Sequence, residues 1–106
     1  MNTQVQSLGF DANPPLLELV NKRLEKIAQH SDRILEARVI LKLDKSDTRE
    51  NKRCEIRLVI PGNDLFAKKV GGTFEEALDH VIHALEKQVS DWKTTLHDRQ
   101  VKVAKN

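Results

Sequence analysis

The chain has 106 residues, of which 32% are charged and 39% hydrophobic, with three Phe, one Trp, no Tyr and a formal net charge of +2. That length suits one domain with an aliphatic core and leaves little room for a second. The single cysteine, Cys54, excludes an internal disulfide, and the apolar runs fall far short of the roughly 20 residues that span a bilayer.

The opening "MNTQVQSL" has no basic stretch followed by an apolar one, so no secretory leader is expected and the cytoplasm is the default compartment. Residues 3–8 alternate as a short strand, and "GFDANPP" breaks it. Asn13 is a good helix N-cap, with Pro14 at the first helical position, where proline is tolerated. The helix is expected to run to about His30. Leu17, Val20, Leu24 and Ile27 form its apolar stripe, Lys22 and Lys26 lie opposite, and Arg23 and His30 lie on a flank.

"EARVILKLD" alternates as a strand, with Ala37, Val39, Leu41 and Leu43 on one face and Arg38, Ile40 and Lys42 on the other. "KSDTREN" is a polar connection. "KRCEIRLVIP" alternates again, turning Cys54, Ile56, Leu58 and Ile60 one way. "PGND" signals a hairpin turn, and "LFAKKV" makes a fourth strand with Leu65 and Ala67 opposite Phe66 and Lys68. After "GG", a long helix is expected from about Phe74 to beyond Leu96. Its stripe is Phe74, Leu78, Val81, Ile82, Leu85, Val89, Trp92 and Leu96. The tail "RQVKVAKN" carries no partner pattern and is expected to fray.

The order β-α-β-β-β-α predicts an α+β fold. The last three strands pair antiparallel through short links, and the helical crossover makes the first strand parallel to its neighbour. Both helices have one apolar face and are expected on one side of a four-stranded sheet. Arg38, Lys42, Arg53, Arg57 and Lys68 are left on the other side as a candidate anion-binding surface.

Charge is unevenly placed. Arg38 to Lys69 holds nine basic and five acidic residues, whereas Thr73 to Glu86 holds four acids and no Lys or Arg. Within that acidic stretch Glu76, Asp79, His80 and His83 crowd together, which raises metal or proton-transfer chemistry. A bland explanation competes. Thr73-x-x-Glu76 is a capping box, and acids in a first helical turn suit its dipole. His80 and His83 project opposite Leu78, Val81 and Leu85, toward water. Neither H-E-x-x-H nor C-x-x-C is present, so no metal site, cofactor or catalytic residue is expected. Cys54 alternates into the buried face, the place of a structural thiol. The basic residues Lys22, Arg23 and Lys26 of the first helix, with Lys87 and Lys93 of the second, could meet RNA phosphates without any signature sequence.

Taken in order, several stretches resemble the ribosome hibernation promoting factor family, also called ribosome-associated inhibitor or sigma-54 modulation protein. They are "LEKIAQHSDRI" with Asp32-Arg33-Ile34, "VILKL" with Leu41-Lys42, Ala67, Ala77-Leu78-Asp79 and Leu85-Glu86-Lys87-Gln88-Val89. The resemblance covers about residues 1–97. It implies a fold like the double-stranded-RNA-binding domain, with residues 1–98 as the ribosome-binding domain and 99–106 as tail, in a short form lacking a second, ribosome-pairing domain. It further implies a non-enzymatic protein. Such a protein binds the small ribosomal subunit and its 16S rRNA near the decoding centre, overlaps mRNA and tRNA there, and needs no cofactor, membrane or small-molecule substrate. Carried over by position, the rRNA contacts are Arg23, Lys26, Lys42, Lys87 and Lys93, to which Lys22 is added by its proximity on the helix. Two departures stand out. Glu75 sits where the family usually has tyrosine, and Asp91, Thr94 and Thr95 dilute a lysine run after Gln88. They motivate an alternative: an interaction or dimerisation module on the same fold with weak or no ribosome binding.

Overall fold

Six elements make up the computed structural model, which describes residues 1–44 and 49–105, with side chains to residue 95. In chain order they are β1 (Asn2–Leu8), α1 (Pro14–Ala28), β2 (Glu36–Leu43), β3 (Lys52–Val59), β4 (Leu65–Gly71) and α2 (Phe74–Lys105). Residues 45–48 of the polar connection and the side chain of Leu96 lie outside the described part.

The strands form one sheet in the order β1-β2-β3-β4. β1 runs parallel to β2, with Val5 beside Val39. The β2–β3 and β3–β4 pairs are antiparallel, Val39 facing Ile56 and Ile56 facing Ala67. This is the predicted topology. Alternation fixes the facing: Ala37, Val39, Leu41, Cys54, Ile56, Leu58 and Ala67 are all buried on one face, where they meet both helices. The β3–β4 turn needs a glycine, because Gly62 has φ of 97°.

α1 starts as its sequence dictates, the Asn13 side chain accepting the Leu16 N–H at 3.0 Å ahead of Pro14 and Pro15. Its buried residues are Leu16, Val20, Leu24 and Ile27, so the predicted stripe is corrected at its first member. Leu16 and Leu17 flank the stripe almost equally. The structure buries Leu16, four residues before Val20, and leaves Leu17 half-buried. α2 buries Ala77, Leu78, Val81, Ile82, Leu85 and Val89, with Phe74 and Trp92 packed against the same core. Its helical backbone continues through residues 99–105, where the pattern predicts a frayed tail. No glycine or proline interrupts that stretch.

Two contacts seat α2. Phe10, in the loop after β1, stacks on Phe74 with ring centroids 4.3 Å apart. At the other side, β4 comes so close to the helix that a Cβ on Gly71 would lie 2.9 Å from the Ala77 backbone nitrogen. Among the described residues, no helix is long and apolar enough to cross a membrane.

Candidate nucleic-acid interface

Because both helices cover one face of the sheet, the predicted binding residues are divided. Lys22, Arg23 and Lys26 stand on α1, and Lys87 and Lys93 on α2. Lys42 projects from the opposite, outer face of β2, where it borders a shallow depression with Leu8, Gly9, Leu43 and Asp44. The five lysines are exposed and Arg23 is half-buried.

Arg23 is not a free cation. Its Nε donates to Asp79 Oδ1 at 3.0 Å, tying α1 to α2. The two side chains stand over a groove that Lys26, Ile82, His83 and Glu86 also line. Cations from α1 therefore face acids from α2. Sequence alone assigned Asp79 to the helix dipole and overlooked this partner, which lies 56 positions away.

The arginines of the outer sheet face are likewise paired. Arg38 reaches Glu36 at 3.2 Å, and Arg53 reaches Asp44 at 2.9 Å and Glu55 at 3.8 Å. Arg57 approaches Asp64 at 3.7 Å and lies 5.1 Å from the centroid of the Phe66 ring. The hydrogen bond to Glu36, and then its charge, holds Arg38 above its already high ordinary pKa. The expected anion-binding sheet is thus largely neutralised from within. Lys42 and Lys68 stay exposed on it with no ion-pair partner among the described residues.

The His80 and His83 pair separates. His80 Nε2 stands 3.6 Å from Glu76 Oε1, one turn away on the same helix. His83 is exposed but lines the interhelix groove, which corrects the expectation that it points only to water. Among the described residues no three His, Cys, Asp or Glu side chains are placed to hold a metal ion. Half of the capping box forms: the Glu76 N–H donates to Thr73 Oγ1 at 3.1 Å. The other half, the Thr73 N–H donating to the Glu76 carboxylate, is not among the hydrogen bonds of the described residues; one carboxylate oxygen faces His80 instead. Cys54 is fully buried, and burial, with a smaller contribution from Glu55, pushes its thiol up to about 12.

These features define a class: a two-layer α+β domain that presents cations on two opposite faces, the helix layer and the outer sheet. The family model described as sigma 54 modulation protein / S30EA ribosomal protein matches residues 3–97, and the chain belongs to that family. It is 27% identical over 92 residues to the ribosome hibernation promotion factor of Deinococcus radiodurans, covering 86% of this chain and 48% of that protein. The chain therefore spans about half the length of that relative. With the ribosome hibernation promoting factor of Pseudomonas putida it shares 25% identity over 93 residues, 88% of this chain and 87% of the other. Among solved structures, a ribosomal subunit interface protein from Coxiella burnetii superposes with a TM-score of 0.79 at 28% identity, covering 89% of this chain and 99% of that one. The N-terminal domain of Thermus thermophilus Protein Y shares the fold, with a TM-score of 0.74 at 24% identity over 87% of this chain and 99% of that one.

Proposed function

We propose that this protein is a ribosome-associated translation inhibitor. It binds the small ribosomal subunit near the decoding centre, holds 16S rRNA phosphates through basic side chains, and occludes mRNA and tRNA by its bulk. The observation that carries this is the family match over residues 3–97, on a fold shared with a protein described as a ribosomal subunit interface protein. Residues 1–98 are the binding unit, the compartment is the cytoplasm, and the action needs no catalytic step and no cofactor.

The division of the cations supports occupancy of a cleft over docking on a flat surface. Lys22, Lys26, Lys87 and Lys93 stand on the helix layer and Lys42 on the outer sheet face. A partner that touches both must surround the domain. Competition on purified small subunits tests this: added protein is expected to displace labelled mRNA and initiator tRNA. Simultaneous binding of all three would refute occlusion.

The internal pairing of Arg23, Arg38, Arg53 and Arg57 favours a second reading, a divergent interaction module on the same fold. That reading requires a complex that survives high salt and no association with the small subunit.

A further inference from the structure

β4 is an edge strand, with β3 on one side and, among the described residues, no strand on the other. Along a strand, the N–H and C=O of alternate residues point to the same side. The backbone of Phe66 points to the open side, and so do those of Lys68 and Val70. Open edges invite pairing with another chain, and proteins that stay apart obstruct them.

Here the obstruction is a side chain. Gln88 of α2 donates its Nε2–H to Phe66 O at 2.9 Å and accepts the Phe66 N–H on Oε1 at 3.3 Å. One primary amide thus makes the two hydrogen bonds that a neighbouring strand would make. Helix and strand geometry bring it there. Ala77 lies against Gly71 at one end of the strand, and Gln88 bonds Phe66 towards the other. Eleven residues of helix and five of strand each advance about 16 Å.

We infer that Gln88 is an edge lock, which keeps the β4 strand of one copy from pairing with the β4 strand of a second copy. The occupant follows from the strand itself. An antiparallel pair centred on Lys68 would set Phe66 of each copy opposite Val70 of the other. Both side chains are exposed on the outer face, at 40% and 39%, and aromatic and β-branched cross-strand pairs are favourable. Two features oppose that pairing: Lys68 would face its own copy, and Gln88 already occupies the Phe66 backbone. The inference is independent of ribosome binding.

Amide hydrogen exchange and sedimentation equilibrium on the full chain test it. In Gln88→Ala the Phe66 amide is expected to exchange at least about 5-fold faster than in the wild type, the loss of a net hydrogen bond at a partly exposed site. The double variant K68T/Q88A is expected to form a concentration-dependent dimer with new protection at the Thr-substituted position 68 and at Val70, while the wild type stays monomeric. Gln88→Glu, which keeps an acceptor but loses the donor, is the second probe should the alanine variants fold poorly. It is expected to release the Phe66 carbonyl and to dimerise when combined with K68T. Unchanged Phe66 exchange in Gln88→Ala would overturn the inference. So would double variants that remain monomeric, or a wild type that already pairs through β4.

Discussion

Arg23 and Asp79 illustrate how single residues here serve the fold before they serve a partner. Their side chains are 35% and 55% exposed, and a pair so placed contributes about 0.2–1 kcal/mol. Asp79→Asn is therefore expected to lower stability by less than about 1 kcal/mol in urea unfolding. It should leave association with the small subunit undiminished, because it frees Arg23. Cys54 is buried in the same spirit. Its folded-state pKa, about 12, lies above the ordinary 9.0. The contribution is therefore complete below pH 9.0 and is lost as pH rises towards 12. The urea midpoint of the wild type is expected to fall more steeply above pH 9.0 than that of Cys54→Ala. At neutral pH thiol reagents should leave the native protein unmodified. Burial of Cys54 was legible from strand alternation. The Arg23–Asp79 pair was not, because nothing local connects two residues on different helices. The pairing of Arg57 with Asp64 was hidden for a similar reason: the two flank a hairpin turn whose register only the folded sheet fixes.

At the scale of elements, the strands and helices were legible because their periodicities are clean. Alternation gave the buried faces of β2, β3 and β4, and Asn13-Pro14 gave the start of α1. What escaped were choices between near-equal options. Leu16 and Leu17 sit almost symmetrically about the stripe, and Glu76 has His80 as well as Thr73 within reach. The stretch that makes the family recognisable has a structural explanation. The Ala77 backbone lies against Gly71, Asp79 ties α2 to α1, and Gln88 fastens α2 to β4. Those positions record how the second helix is mounted, so their match speaks for the fold more directly than for the rRNA contacts. Two substitutions check the mounting. Thr73→Ala removes the N-cap acceptor and is expected to cost about 1 kcal/mol. Gly71→Ala forces a Cβ against the Ala77 backbone and is expected to cost more, in the range of about 1–3 kcal/mol typical of overpacking. Urea unfolding measures both.

The whole molecule is nearly neutral, with 18 basic and 16 acidic side chains. Under the proposed function, affinity for RNA must therefore come from the placement of charge. On that reading lysines supply it, since the arginines Arg23, Arg38, Arg53 and Arg57 are engaged internally. Replacing Lys22, Lys26, Lys87 and Lys93 together by glutamate is expected to abolish association with ribosomes while leaving the circular dichroism spectrum unchanged. Each phosphate contact adds about 0.7–0.9 to the slope of log affinity against log salt. A handful of lysines should therefore give strong binding at low salt that collapses as salt is raised. Co-sedimentation of the purified protein with small ribosomal subunits across a salt series tests the proposed ribosome binding most directly. The protein is expected to travel with the subunit at low salt and to be released steeply as salt increases. A protein that stays at the top of the gradient at the lowest salt would contradict it.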